Sequence, residues 1–153
     1  MANTYTKIHM QFVFAVKFRL ATIQNNWKNE LYKYITGIVQ DHDHKLLAIN
    51  GMPDHLHLFA GFRPTQSISD FMKEVKGYSS KWINENIDLK RKFQWQDGYG
   101  AFSYSASHVK KVINYVNQQE NHHKNMSFRD EYVGILKKFE VDYDDRYIFQ
   151  ELI

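Results

Sequence analysis

Apolar residues alternate with polar ones near the start of the chain and then change to helical spacing. Between residues 5 and 18 the even positions carry Ile8, Met10, Phe12, Phe14 and Val16, an alternation typical of a strand. Residues 24–40 instead repeat apolar side chains every three or four positions, as on one face of a helix. The first forty residues are therefore predicted to form a strand followed by a helix.

The rest of the pattern predicts six more elements. Strands over 45–52 and 55–62 are joined at Pro53-Asp54, a turn dipeptide, and Ser67 caps a helix that runs to about residue 86. A strand follows at 99–105, and then helices at 107–122 and 127–139. We expect Tyr34 and Tyr78 on the buried faces of their helices.

The first six elements have the order βαββαβ, which is the ferredoxin-like (RRM-like) pattern of an α+β protein. Two additional C-terminal helices follow them. An antiparallel sheet with helices on one face leaves its other face available for a site. With 153 residues and neither a repeat nor a flexible linker, the chain is predicted to be a single domain over residues 1–153.

Composition excludes several classes of protein. The chain has no cysteine, which excludes a disulfide scaffold, a cysteine nucleophile and a thiolate zinc site. Its first ten residues lack the pattern of a signal peptide, and no apolar run approaches the ~18 residues of a membrane span. We therefore expect no membrane partner and a cytoplasmic location.

The net charge of +3 is unevenly distributed. Residues 140–153 contain five acids and one arginine, a sum of −4, so residues 1–139 carry +7. A basic body with 24 aromatic residues suits a nucleic-acid partner, because lysines meet phosphates and rings stack on bases. An ordinary aromatic core with a solvated basic surface has the same composition. The acidic tail, residues 139–153, is interpreted as a solvated or packing segment.

The first segment with candidate chemistry is the histidine pair His55 and His57. On a strand, residues two apart point to the same face, so the two imidazoles should be neighbours while Leu56 and Leu58 face the other way. Two imidazoles held in this way are good ligands for a divalent metal. Histidines at this spacing can also lie half-exposed beside polar neighbours without a ligand. Asp54 either orients a histidine or serves only as a turn residue.

The second such segment is the helix that carries Tyr115. Val109, Val112, Ile113 and Val116 form its apolar stripe, and Tyr115 lies on the flank with Gln119 one turn later. A hydroxyl in this position would be firmly held yet exposed, as a nucleophile must be. Among the ten tyrosines, Tyr115 is the only one followed by glutamine four residues later. Packing of the ring on a neighbour is the alternative interpretation.

Several separated blocks together resemble the single-tyrosine HUH (His-hydrophobic-His) transposases of the insertion-sequence-200-like group. The blocks cover nearly the whole chain, and the C-terminal half is most similar to relatives associated with repeated palindromes. Leu20 stands where this family would have a second arginine. The matching blocks are residues 17–19 (KFR), 52–58 (MPDHLHL), 93–103 (FQWQDGYGAFS), Tyr115 with Gln119, His122-His123 and 143–147 (YDDRY).

The resemblance implies an enzyme that cuts single-stranded DNA beside a hairpin. Tyr115 would attack the scissile phosphate and become linked to its 5′ side, while His55, His57 and Gln119 hold a divalent metal. Imidazole ligands favour manganese or zinc-like ions and cellular abundance favours magnesium, so we expect Mg²⁺, with Mn²⁺ able to substitute. The resemblance also implies a homodimer in which Tyr115 of one subunit serves the histidines of the other. We expect the protein in bacteria or archaea, associated with the nucleoid when it acts.

Basic and aromatic side chains are the candidates for DNA contact. Lys90, Arg91 and Lys92 lie next to Phe93 and Trp95, where phosphate contacts and base stacking would suit a hairpin, although a solvated loop has the same composition. His122 and His123 lie near a predicted helix end, where they complement the helix dipole, and we leave them outside the site. The complete set of DNA-binding candidates is Lys17, Arg19, Lys90, Arg91, Lys92, Trp95, Lys110 and Lys111.

Three other functions share parts of this pattern. A domesticated enzyme acting on chromosomal palindromes would use the same chemistry. Relaxases and replication initiators also share it, but they are usually longer chains. A non-catalytic RRM-like module would bind nucleic acid on its open sheet, yet it would need neither the histidine pair nor the Tyr-x-x-x-Gln pattern.

Overall fold

The computed structural model describes residues 4–19, 22–144, 146 and 148, and only the backbone of Arg19. A four-stranded antiparallel sheet has the order β2-β3-β1-β4. The predicted α+β class and βαββαβ order are confirmed. Its elements are β1 (His9–Ala15), α1 (Lys28–Asp41), β2 (Lys45–Met52), β3 (His55–Gly61), α2 (Ile68–Asn86), β4 (Gly100–Tyr104), α3 (Val109–Asn117), α4 (Gln119–His122) and α5 (Phe128–Lys138).

The central strand β1 is buried along its whole length because helices cover both faces of the sheet. Alternation sends Phe12 and Phe14 into the large core beneath α1 and α2. Val13 and Ala15 point to the opposite face, where they pack with residues of α5. The second face, expected to be open, is thus covered by the C-terminal helices, which leaves little of it available to stack on bases in the manner of an RRM sheet.

Several predicted boundaries and orientations were wrong. The strand predicted over 5–18 is limited to His9–Ala15, and a 3₁₀ turn, Lys17–Arg19, follows it. Tyr34 and Tyr78 are exposed rather than inward, and the Tyr34 ring stacks on Trp82 at 5.6 Å between centroids. An amphipathic pattern alone does not determine how wide the buried stripe of a helix is.

The helix predicted over 107–122 is interrupted. It is divided into a 3₁₀ turn (Ala106–His108), α3 and α4, with the break at Gln118. The side-chain amide of Asn50 on β2 donates to the carbonyls of Val116 (3.1 Å) and Asn117 (3.3 Å), which satisfies the end of α3. This contact also fixes α3, and therefore Tyr115, to the edge of the sheet.

The hairpin between β2 and β3 presents the histidine pair. The turn is anchored from outside, since the carbonyl of Pro53 accepts from the backbone N–H groups of Thr22 and Ile23, and that of Asp54 from Val16. Gly51 allows the two strands to close, because a Cβ at this position would lie 2.2 Å from the carbonyl oxygen of His55. The turn that leads into His55, the first residue of β3, is thus held in place by backbone hydrogen bonds.

Among the described helices, none has the length and apolar character needed to cross a membrane.

We expect Gly51→Ala to lower the free energy of unfolding by about 1–3 kcal/mol, since its methyl group would overlap backbone that cannot easily move. Gly37→Ala is the matched control, because a Cβ there meets nothing within 4 Å in the described structure. In the interior of α1 this control should stabilise the protein by roughly 0.5–1 kcal/mol. Urea unfolding of both variants measures the difference, and a Gly51→Ala protein as stable as the wild type would contradict it.

Candidate metal and tyrosine site

The two histidines of β3 lie side by side on the face covered by α3–α5, as predicted. Their rings are 5.3 Å apart between centroids, and both side chains are fully buried. Leu56 and Leu58 point to the opposite core. His55 and His57 therefore belong to a buried polar cluster rather than to a half-exposed surface.

Asp54 orients His55. Its Oδ1 accepts a hydrogen bond from Nδ1 of the His55 ring at 2.7 Å, so the side chain does more than form the turn. Burial lowers the pKa of His55, which favours the neutral ring. A neutral His55 that donates from Nδ1 has a lone pair on Nε2, which points into the cluster.

Gln119 lies next to this lone pair, as its spacing from Tyr115 predicted. It is buried, and its Oε1 is 3.1 Å from Nε2 of His55. Its Nε2 donates to Oε2 of Glu131 at 3.1 Å. Because an ionised carboxylate only accepts hydrogen bonds, this contact fixes the amide orientation and leaves its oxygen facing His55.

Glu131, on α5, is the central residue of the cluster, and the sequence interpretation missed it. Its side chain is buried, and Oε1 accepts from Nε2 of His57 (3.1 Å) and of His123 (3.0 Å). Oε2 accepts from Gln119 and from the hydroxyl of Tyr115. Burial alone would raise the pKa of Glu131, but the hydrogen bonds from His123 and His57 outweigh it and keep this pKa well below its usual range.

A divalent cation fits this donor set. Ligand atoms of His55, His57 and Glu131 all lie within 4.8 Å of one another, and the oxygen of Gln119 is adjacent. The lone pair on His55 Nε2 faces Gln119 Oε1 at 3.1 Å and Glu131 Oε1 at 3.6 Å, an arrangement that a positive charge would stabilise. Imidazole nitrogen with carboxylate and amide oxygen is a ligand set found for divalent metals.

Tyr115 lies beside the histidine pair of its own chain. Its ring is 5.9 Å from that of His57 between centroids, and its hydroxyl is bonded to Glu131 instead of being exposed as predicted. Burial, and then the negative charge of Glu131, raise the pKa of Tyr115 far above its ordinary value. The arrangement thus keeps the phenol protonated, and the tyrosine and histidines meet without a second copy of the chain.

His122 and His123, left outside the site by the sequence interpretation, are both part of it. His123 donates from Nδ1 to the carbonyl of Met126 (2.7 Å) and from Nε2 to Glu131. Both partners only accept, so the ring carries two protons. Burial would lower the pKa of His123, but its bond to Glu131 raises it overall. His122 stacks on the ring of Tyr115, with centroids 4.4 Å apart.

Behind His57, a buried chain of hydrogen bonds extends across the sheet. The amide of Gln11 on β1 contacts Nδ1 of His57 through its Nε2 at 2.9 Å, and its Oε1 accepts from the hydroxyl of Tyr104 at 2.7 Å. This chain fixes the orientation of the His57 ring.

Most of the DNA-binding candidates lie away from this cluster. Lys17, Lys90, Arg91 and Lys92 line one groove of about 680 Å³ with the exposed ring of Phe18. Lys110 and Lys111 are exposed on α3, and Lys111 lies near Tyr115. The side chain of Arg19 and all of Leu20 lie outside the described residues, as do 145, 147 and 149–153 of the acidic tail.

The interpretation of Trp95 as a stacking residue was wrong. Its side chain is only 6% exposed, and its ring packs against Phe14 and Phe93 at 4.7 and 4.9 Å. The indole N–H donates to the hydroxyl of Ser79 at 2.9 Å. The adjacent basic residues suggested a surface position for Trp95. An isolated antiparallel β-bridge between Trp95 and Val16 instead turns the ring toward the core.

Comparison with known proteins gives a consistent result. The family model described as "Transposase IS200 like" matches residues 4–119. The ISDra2 transposase TnpA of Deinococcus radiodurans is 23% identical over 120 residues, covering 75% of this chain and 86% of that protein. A Salmonella typhimurium transposase for insertion sequence element IS200 is 25% identical over 124 residues, covering 78% and 81%.

Two solved structures share the fold. A Deinococcus radiodurans R1 protein described as a transposase superposes with a TM-score of 0.63 at 23% identity, covering 78% of this chain and 95% of that one. A REP-associated tyrosine transposase bound to a REP hairpin superposes with a TM-score of 0.60 at 16% identity, covering 80% and 73%.

We expect Glu131→Gln to weaken Mn²⁺ binding by about tenfold or more, because an amide replaces a charged oxygen donor in a group of nearly the same shape. Asp130→Asn is the matched control, since this exposed carboxylate precedes Glu131 on the same helix. Calorimetric titration with Mn²⁺ measures both affinities. Equal affinities for wild type and Glu131→Gln would remove Glu131 from the ligand set.

Proposed function

Because the chain belongs to the IS200-like transposase family, we propose that it cleaves and rejoins single-stranded DNA through a covalent link to Tyr115. The phenolic oxygen of Tyr115 forms a bond to the scissile phosphorus, and the bond from phosphorus to the 3′ oxygen breaks, which releases a 3′-OH. The phosphotyrosine ester conserves the energy of the diester, so a 3′-OH can later attack it and rejoin strands without ATP. The observation that carries this proposal is the convergence of Tyr115 with His55, His57 and Glu131.

We assign His55, His57 and Glu131 as the residues that hold a divalent cation, with Gln119 as a further oxygen donor. When bound, the cation would polarise a phosphate oxygen and offset the charge that develops on it. We expect Mg²⁺ in the cell, because it is abundant, and Mn²⁺ as a substitute, because it accepts imidazole nitrogen more readily.

The chain's own residues control the proton of Tyr115. Glu131 accepts the hydroxyl hydrogen bond, and its negative charge disfavours a phenolate beside it. Attack on phosphorus therefore requires that the charge of Glu131 be offset. His123, which donates to the same carboxylate from outside the proposed ligand set, would keep Glu131 in position when the cation is bound.

The groove lined by Lys17 and by Lys90–Lys92 supports binding of a DNA hairpin. The backbone N–H of Lys17 donates to the carbonyl of Gln94 at 3.0 Å, so the two basic segments are tied together. Phe18 adds a ring that is 48% exposed, and its positive φ of 59° is uncommon for a bulky residue. The basic side chains would bind phosphates and the exposed ring would stack on a base, and both contacts suit the end of a DNA hairpin.

The backbone links this groove to the proposed metal site. The backbone N–H of Val16, which lines the groove, donates at 2.9 Å to the carbonyl of Asp54, and the Asp54 side chain contacts His55. The backbone at one edge of the groove is thus tied to Asp54, the residue that orients His55. A role at chromosomal palindromes is also supported, because the chain shares its fold with an enzyme bound to a REP hairpin. The DNA that flanks the gene would distinguish this role from that of a mobile element.

Tyr115→Phe should abolish formation of a covalent protein–DNA adduct and leave hairpin affinity within about twofold of the wild type, because only the nucleophilic oxygen is removed. Single-stranded oligonucleotides from the flanking DNA, incubated with Mn²⁺ and separated under denaturing conditions, reveal the adduct. Tyr143→Phe, which removes a hydroxyl from an exposed tyrosine, is the control and should form it normally. An adduct that persists in Tyr115→Phe would assign the nucleophile elsewhere.

Replacing Lys90, Arg91 and Lys92 together by glutamine should weaken hairpin binding and flatten its dependence on salt, by about 0.7–0.9 in the logarithmic slope for each lost phosphate contact. The control replaces three exposed lysines on other surfaces, Lys33, Lys45 and Lys137, and changes the net charge equally. Fluorescence anisotropy over a series of salt concentrations measures both slopes. If the two triple variants have the same slope, the groove is not the hairpin site.

A further inference from the structure

A second cleft opens beside Tyr115. It has a volume of about 380 Å³, within the ~300–1,000 Å³ range of small-molecule sites. One wall is the face of α3 that carries Lys111 and Val112, and the other is the face of α5 that carries Gly134 and Ile135. Tyr115 lies where the two walls meet Glu131.

The walls of this cleft suit a flat, largely apolar group that carries a negative charge nearby. Val112, Ile135 and the half-buried ring of Tyr104 provide the apolar surface. Lys111 and Lys138 are exposed along the opening, and Nζ of Lys138 lies 5.6 Å from the centre of the Tyr104 ring. Two carboxylates, Asp130 and Glu131, also line the cleft and would repel a free anion inside it. A base that enters the cleft while its phosphate stays outside is a better match.

An unpartnered polar atom lies within the wall of the same cleft. Nε2 of His122 is buried and has no hydrogen-bond partner among the described residues. The His122 ring lines the cleft and stacks on Tyr115, with planes inclined by 30°. Buried polar atoms are nearly always paired in native proteins, so this nitrogen marks a polar position in the wall that the protein itself leaves without a partner.

Gly134 keeps the cleft open. It lies within α5, where glycine is less favourable than alanine, and a Cβ there would meet nothing within 4 Å in the described structure. It is exposed toward the cleft rather than packed against a neighbouring element. Glycine at this position therefore costs helix stability and leaves room beside Tyr115.

We propose that this cleft binds the base of the nucleotide next to the scissile phosphate. The inference rests on the proposed function, because it requires DNA to react at Tyr115. A phosphate at the Tyr115 oxygen is joined directly to its flanking sugar, so the attached base must lie in the immediate surroundings of the ring. On one side that space is filled by His57 and Glu131, and on the other it is this cleft.

The test fills the cleft and separately removes the base. Gly134→Leu places a side chain in the cleft, and Gly37→Leu makes the same change on an exposed position of α1. Each protein is given an oligonucleotide that the wild type cleaves, and versions of it with an abasic nucleotide immediately 5′ or 3′ of the cleavage site. The rate of adduct formation is measured in Mn²⁺.

We expect Gly134→Leu to react about tenfold more slowly than wild type on the intact strand, the size of effect produced by loss of one stacked base. On the strand that lacks the base on the correct side, the two proteins should react at equal rates. Gly37→Leu should follow the wild type on every strand. Thermal unfolding and Mn²⁺ titration of Gly134→Leu check that its fold and metal affinity are retained.

Three outcomes overturn the proposal. Wild-type rates for Gly134→Leu on the intact strand would show that the cleft is not used. Equal slowing on intact and abasic strands would show that the substitution acts on something other than a base. If Gly134→Leu does not fold, the test uses the Tyr115→Phe protein and an oligonucleotide with 2-aminopurine beside the cleavage site. Unchanged 2-aminopurine fluorescence on binding would then refute base capture. Failure of the wild type to form any adduct would instead refute the proposed function.

Discussion

A buried carboxylate holds the C-terminal half of this protein together. Glu131 is out of contact with water, and a charge in that position is costly unless several donors reach it. Its donors come from different elements: His57 from the sheet, Tyr115 from α3, Gln119 from α4 and His123 from the loop before α5. Helices α3, α4 and α5 are therefore arranged around one charge on the face of the sheet.

The same interaction determines the chemical state of the site. Glu131 and burial keep Tyr115 protonated, while the proton on His123 already supplies one positive charge to the carboxylate. The neutral His55 ring, oriented by Asp54, contributes a lone pair beside these groups. In the proposed function, a tyrosine held protonated next to a cation site would become a nucleophile only when that site is filled.

Two surfaces of different character meet at this site. The basic groove with Phe18 is linked to it by the backbone bond from Val16 to Asp54, whereas the apolar cleft between α3 and α5 is lined by Tyr115 itself. A single strand that leaves a hairpin in the groove and crosses the cluster would have its next base at the cleft. Phosphates would thus be held by lysines on one side of the reacting bond, and a base by apolar walls on the other.

Local pattern determined much of this protein. Period-two alternation on β3 was enough to predict that His55 and His57 share a face, because this follows from backbone geometry over a few residues. The i,i+4 spacing also placed Gln119 near Tyr115, but the two residues lie on separate helices, so contacts beyond that spacing hold Gln119 at the site. Only the tertiary structure decided the role of Glu131. In the first turn of a helix an acid normally complements the dipole, although its place on the apolar stripe with Phe128, Tyr132 and Ile135 was a signal that it is buried. The core position of Trp95, the break at Gln118 and the cleft beside Gly134 likewise depend on contacts between segments far apart in the chain, which no local pattern encodes.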